Sequence, residues 1–402
     1  MKRMRLITVL TATLVVGFYA LINFLEVRGV EKDKHLKVGF VYDGDESAPY
    51  TNNFIKVQKK VETYEFDGTV EVVAKSNIPE EKGEKAMQEL IDEGCGMIIT
   101  TSYGYQFAAK ELAKEHPEVQ FCEATGDNAN DEKLHNYHTF MGRIYEGRYI
   151  TGIVAGMKLK ELIDKKIITP EQAKVGYVGA FPYPEVISGY TAFILGVRSI
   201  VPNATMDVRY TNTWTGYSVE LKCAKQLIDD DCVIIAQHSD TIGPAVACED
   251  AAEAGRVVYC VGYNQSMSDI APTTTLVSSR IDWSEYIISA IEAVLDGDAI
   301  EDRVKGEVNG NDIGGGFDYG WVQIVDINTL VVADGTEKVV KEKIEEFKKN
   351  NIVVFRGDYL GVDPNDPSDT YDLNKIYNEN KNASAPSFHY ILKDVVFIKE
   401  DE

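Results

Sequence analysis

Positive charge is scarce in this 402-residue chain, where 41 lysines and arginines face 64 aspartates and glutamates for a formal net charge of −23. That balance repels phosphate backbones and argues against nucleic acid as a partner. It equally argues against docking on anionic lipid through a basic patch. A local pocket can still have either sign, so small ligands remain open. Cysteine is sparse too. None of Cys95, Cys122, Cys223, Cys232, Cys248 and Cys260 forms a C-x-x-C pair, and zinc-type spacing is absent. Cys95, Cys122, Cys232 and Cys260 lie in or beside apolar strand-like runs, where a thiol acts as a small hydrophobe. Export would permit disulfides, but a body this large does not need them, and buried free thiols are expected. The stretch GNDIGGGFDYG, residues 310–320, lacks G-x-x-x-x-G-K-[ST] and is read as turns, not as a phosphate loop. The acidic run DPNDPSDTYD, residues 363–372, lacks the frame of a calcium loop and is read as solvated. No paired carboxylates or metal-ligand spacing stand out, so neither catalysis nor a cofactor is expected.

Only one long apolar run is present. Lys2, Arg3 and Arg5 precede the 20 uncharged residues Leu6 to Leu25, enough for one helix to cross a bilayer core. Basic residues ahead of such a run place the N-terminus in the cytoplasm and the rest outside. Residues 1–30 therefore read as a signal peptide or a membrane anchor. Ala20 suits the last position before a cleavage point, but Phe18 is bulky where a small residue is wanted. The uncleaved anchor is the favoured form.

The body alternates strand and helix. Short apolar runs such as LKVGFVY (36–42) and GMIIT (96–100), set between helical segments, indicate a parallel sheet covered on both faces. The pattern starts again after a long helix near Tyr145 to Ile163, with strands near Lys174–Val178, Thr205–Tyr210, Cys232–Ala236, Val257–Val261 and Thr275–Val277. Two doubly wound lobes follow. The first is expected over 36–142 plus about 275–320, the second over 143–274 plus about 321–402. A helix is expected from about Asn53 to Tyr64, and Tyr390–Lys399 reads as an edge strand. In such sheets the loops at the carboxyl ends of strands line the crevice. Here those loops are DGDESAPYTNN, TTSYGYQF, GAFPYPEV, TNTWTGY, AQHSDTIG and GYNQSMS. Most carry aromatic rings beside amides, hydroxyls or carboxylates. Rings stack on a flat ligand at low entropy cost, and polar groups then select its edge. A purine suits this, and so does a sugar.

The segments RIYEGRYITGIVAG (143–156), KVGYVGAFPYPEVISGYTAFILGVRSIVP (174–202), NTW (212–214), IIAQHSD (234–240) and VGYNQSMSDIAP (261–272) resemble the basic membrane protein family, also called the purine nucleoside receptor-like proteins. The resemblance runs from about Leu36 to Phe355. It implies an α/β, type I periplasmic-binding-protein fold, two doubly wound parallel-sheet lobes joined by a hinge, and a role as substrate-binding protein of an ABC importer with a permease as membrane partner. Two positions depart from the nucleoside-binding members. Asn264 stands where they place an aspartate, and Ile281 aligns with their lysine, with Arg280 adjacent. Those groups hold ribose hydroxyls in the family, so the departures favour a bare purine base. The family's usual lipidated cysteine is also missing.

On matched positions, the resemblance implies that Tyr50 and Phe181 stack on opposite faces of a planar ring. Tyr103, Tyr105 and Trp214 would close its sides, while Asn53, Gln237, Asp240 and Asn264 supply edge hydrogen bonds. His238 reads as a structural hydrogen-bonder. The expected function is extracytoplasmic capture of a purine base or nucleoside, the alternatives being a ligand-sensing ectodomain of the same fold, a binder of another small solute such as a sugar, or a nucleoside-acting hydrolase.

Overall fold

A computed structural model describes residues 34–400. The segment expected as a signal peptide or anchor lies outside the described residues. Among the described residues, no helix is long and apolar enough to cross a membrane.

The first half lays down β1 (His35–Val41), β2 (Thr69–Lys75), β3 (Met97–Thr100), β4 (Gln120–Ala124) and β5 (Tyr137–Gly142), joined by α1 (Pro49–Val61), α2 (Gly83–Asp92) and α3 (Gln106–Glu115). Every residue of β3 and β5 is buried, as strands inside a parallel sheet with helices on both faces must be. Edge strand β2 is only partly covered. Helix α1 opens at Pro49, four residues before the position read from the sequence, because proline is preorganised for the first helical turn. That start puts Tyr50 and Asn53 three residues apart on one helix face.

The second half repeats the scheme with α4 (Ile144–Asp164), β6 (Lys174–Gly179), α5 (Pro184–Arg198), β7 (Thr205–Tyr210), α6 (Tyr217–Asp229), β8 (Ile234–His238), α7 (Gly243–Glu253), β9 (Tyr259–Tyr263), β10 (Thr275–Ile281) and α8 (Ser284–Asp296). Helices α4 and α5 cross backbone to backbone. A Cβ at Gly152 would lie 2.1 Å from the Phe193 carbonyl oxygen, and one at Gly196 would lie 2.1 Å from that of Tyr149. Only glycine permits that approach.

After the short α9 (Ile300–Arg303), the chain adds β11 (Glu307–Asn309), β12 (Asp312–Gly315), β13 (Val322–Val325), α10 (Thr336–Lys348), β14 (Leu360–Val362), β15 (Thr370–Asp372), β16 (Ile391–Leu392) and β17 (Val396–Ile398). The first sheet has the order β11-β12-β5-β4-β3-β1-β2, and the second β13-β10-β9-β8-β6-β7-β17. Strands β14, β15 and β16 form a small antiparallel sheet of their own. Strand β17 is the edge strand expected near the end, parallel to β7.

Two expectations need correction. The strand at Thr275–Ile281 pairs in parallel with β9 and extends the second sheet, as its place in the second series of strands implied, so the first lobe's second segment does not begin at about 275. The chain crosses back after Ile281. The glycine-rich 310–320 stretch is not only turns either. Asp312–Gly315 is a buried strand parallel to β5, and Gly315 and the following Gly316 let Trp321 and Glu146 pack directly against the backbone. All six cysteines are buried and free.

Three crossovers join the lobes, at Arg143, after Ile281 and between Gly315 and Val322. Arg143 ties the first to the third. Its Nε donates to Glu146 (2.7 Å) and its Nη2 to Asp318 (2.5 Å).

Candidate functional site

The carboxyl ends of both sheets face a cleft with two contiguous chambers. The narrow inner chamber is walled by Asp43, Tyr50, Thr101, Ser102 and Tyr103 from the first lobe and by Glu185, Trp214, His238, Asp240 and Tyr263 from the second. Tyr103, Thr125, Glu185 and Trp214 are shared with a larger outer chamber of about 380 Å³, which adds Phe181, Tyr183, Asp127 and Pro386 among others. No lysine or arginine lines either one.

Backbone placement explains the side chains. Asp43 stands two residues beyond the end of β1, and Tyr50 stands on the first turn of α1, its hydroxyl donating to the Thr101 carbonyl (2.8 Å). The Tyr50 ring is held edge-on by Phe54 and Trp283. In the second lobe, the backbone N–H of Asp240 donates to the Trp214 carbonyl (2.9 Å), locking two loops together. Buried Glu220 pins the loop after β8, accepting from Ser239 Oγ (2.8 Å), Thr241 Oγ1 (2.7 Å) and the Thr241 N–H (3.1 Å).

The inner chamber is electronegative. Burial pushes the Asp240 carboxyl well above its ordinary range, and Asp43, Glu220 and Glu185 add like-charge repulsion. Burial also raises Asp43, against the opposing hydrogen bond from Thr51. His238 goes the other way. Burial and then the nearby Arg148 charge lower it to about 4, while Glu185, 3.3 Å from its Nε2, opposes them. Its imidazole is therefore neutral at ordinary pH.

Of the residues expected from the sequence, Tyr50, Tyr103, Trp214 and Asp240 wall the inner chamber. Asn53 and Asn264 stand behind it. Asn53 Nδ2 donates to Asn264 Oδ1 across the lobes (3.3 Å), and Asn264 Nδ2 donates to Asp240 Oδ1 (3.4 Å). Phe181 is elsewhere: it lines the outer chamber, stacked on Tyr183 at 5.0 Å and 13°. Tyr50 and Phe181 thus do not wall a common chamber, and the second-lobe rings that share the inner chamber with Tyr50 are Trp214, His238 and Tyr263. Tyr105 lines neither chamber, being turned into the first lobe with its hydroxyl on the Ile78 carbonyl. Gln237 is consumed by its own loop, its amide donating to Ser239 O (2.9 Å) and Thr241 O (2.8 Å).

Arg280 is drawn off by Gln323 Oε1 (2.7 and 3.0 Å), and Ile281 packs on Gly142 at the crossover, so neither reaches the cleft. Asp43, Glu185 and Tyr263 were not singled out from the sequence, and His238 was read there only as a structural hydrogen-bonder. The position of Asp43, two residues past a buried strand, was the available signal. Glu185 and His238 are 53 residues apart and meet only in the fold.

Comparison with known proteins bears on this geometry. The family model described as ABC transporter substrate-binding protein PnrA-like matches residues 36–354. A purine-binding protein of Brucella abortus is 33% identical over 270 residues, covering 66% of this chain and 70% of its own length. A putative ABC transporter glucose-binding protein of Haloferax volcanii is 34% identical over 214 residues, 53% of this chain and 50% of that protein. Among solved structures, an ABC transporter solute-binding protein of Aeropyrum pernix superposes with a TM-score of 0.60 at 18% identity, covering 79% of this chain and 87% of the other. That last likeness concerns the fold alone.

Proposed function

Because the chain belongs to the PnrA-like family of ABC transporter substrate-binding proteins, we propose that it captures a purine, as the free base or a nucleoside, outside the cytoplasm and delivers it to an ABC permease. The observation that carries this reading is the make-up of the inner chamber. Tyr50 and Trp214 offer rings, Asp43, Glu185 and Asp240 offer acceptors, and no cation lines the walls. Such a chamber selects a flat ligand whose edge presents N–H donors, as amino-purines do, and disfavours a phosphorylated one. The purine-binding relative from Brucella supports the same reading. The bond from Asn53 to Asn264 already spans the lobes, so ligand that touches both walls favours the closed form by its added contacts. No covalent bond is made or broken. Residues 1–30 would tether or export the body.

A sugar is the second reading. Carboxylates and aromatic rings also suit hydroxyl-rich rings, and the Haloferax relative is named for glucose. Calorimetry of the purified protein against adenine, guanine, hypoxanthine, their nucleosides and common monosaccharides separates the two. Heat of binding from purines and none from sugars is expected. Sugar binding with silent purines would overturn the assignment.

A further inference from the structure

The family match ends at residue 354, yet the chain beyond it reaches the cleft. Phe355 stacks on Phe388 (4.8 Å, 19°), closing 355–388 into a loop. The loop's far side lies on the first lobe. Asn309 Nδ2 donates to the Asn382 carbonyl (2.7 Å), and the Ser384 hydroxyl and N–H both donate to the carboxylate of buried Asp312 (2.6 and 2.5 Å). Asp312 is itself fixed by Thr139 Oγ1 (2.7 Å). Glu379 holds the next turn, accepting from the N–H groups of Ser387 (3.1 Å) and Phe388 (2.9 Å). The chain then returns to the second lobe, where β17 joins β7. Between these fastenings, Ala385 and Pro386 line the outer chamber with Tyr103, Tyr183 and Trp214.

We propose that Ala385 and Pro386 are specificity-determining residues: they limit how far a ligand seated in the inner chamber extends into the outer one, and the Ser384–Asp312 clasp keeps that limit in place. The inference rests on the reading that a purine occupies the inner chamber. Neither side chain has a hydrogen-bonding group, so both act by shape. A wall made of alanine and proline loses little side-chain entropy on ordering, and the bonds on either side of it restrict its backbone. Its effect should fall on the size of the ligand and not on the recognition of the base.

The test is calorimetry on the full chain with adenine, adenosine and N6-benzyladenosine, a series of rising size. Pro386→Trp is expected to weaken both nucleosides at least tenfold and adenine no more than twofold. Ser384→Ala, which removes one clasp bond without adding bulk, is expected to raise the affinity for N6-benzyladenosine relative to adenine at least threefold, and it decides the matter where Pro386→Trp does not fold. Should wild type take adenine alone, Pro386→Gly must admit adenosine, and continued refusal overturns the inference. Equal effects on all ligands, or none on any, overturn it as well while leaving adenine binding intact. A wild-type protein that binds nothing in the series overturns the purine reading and this inference together.

Discussion

The guanidinium carbon of Arg148 lies 3.6 Å from the centroid of the Tyr263 ring, and its Nη1 donates to the Gln237 carbonyl (2.7 Å). Arg148 is buried. A desolvated guanidinium over a tyrosine face gains about 2 kcal/mol, and here the face belongs to a residue that walls the inner chamber. A positive charge thus sits beneath a chamber lined with carboxylates. It also lies close enough to His238 to help hold that ring neutral.

His238 gives the protein an acid sensitivity with a defined window. Its folded value, about 4, lies below the ordinary 6.5, so between those limits the unfolded chain binds the additional proton. Its contribution to stability is complete above pH 6.5 and is lost as pH falls toward 4. The full effect is on the order of 3 kcal/mol. Buried Asp240 and Asp43 oppose it, since raised carboxyls cost stability as pH rises past their ordinary values. The His238→Gln variant isolates the term. Thermal melts from pH 7 to 4 are expected to show a shallower decline in the variant than in wild type, and parallel curves would sink the assignment.

Asp240 should trade stability for binding. Its carboxylate is buried among Asp43, Glu185 and Glu220, and the only side-chain donor bonded to it among the described residues is Asn264 (3.4 Å). Asp240→Asn removes like-charge repulsion, so the melting temperature is expected to hold or rise at pH 7. The amide changes the donor and acceptor pattern this buried side chain presents, and a buried polar group left without its partner costs about 1–3 kcal/mol, so purine affinity should fall at least fivefold. Thermal shift and calorimetry on one preparation measure both. A drop in stability with affinity unchanged would place Asp240 outside the recognition set.

The two-lobed frame was legible because buried parallel strands are written as unbroken apolar runs. Met97–Ile99 and Cys232–Ala236 show this directly. What the sequence did not disclose depends on contacts between distant segments. Thr275–Ile281 looks the same whichever sheet it joins, and only its partner β9 decides. Tyr105 and Tyr103 share one short turn, but one ring points to the core and the other to the cleft. Gln237 carries a suitable amide, yet the turn after β8 leaves two carbonyls that claim it. The Ala385–Pro386 wall was hidden because it comes from a segment that crosses back to the first lobe late in the chain.

The aromatic contributions can be ranked by chamber. Tyr50 and Trp214 wall the inner chamber, whereas Phe181 lines only the outer one. Stacking on a base is worth about 1–3 kcal/mol. Tyr50→Ala and Trp214→Ala are each expected to weaken adenine by an amount in that range. Phe181→Ala should cost adenine less than either, while disturbing its stack with Tyr183. Titration of the three variants with adenine checks the order. A larger loss from Phe181→Ala would restore a sandwich between Tyr50 and Phe181 and imply that the lobes close further than described.

Positioning of the cleft walls rests on the glycine crossing between α4 and α5. Arg148 is on α4, and α5 starts one residue before Glu185, so the packing of these helices sets where both groups stand. A methyl at residue 152 would meet the Phe193 carbonyl at 2.1 Å, and a methyl at residue 196 that of Tyr149 at the same distance. Those are backbone atoms and cannot turn aside. Gly152→Ala and Gly196→Ala must push the helices apart, an overpacking cost of about 1–3 kcal/mol. Because the shift would displace Arg148 from the Tyr263 face, ligand affinity should fall with stability, unlike Asp240→Asn. Chemical denaturation and calorimetry together test this: a variant that melts early but binds adenine normally would show that the crossing supports the fold without setting the site.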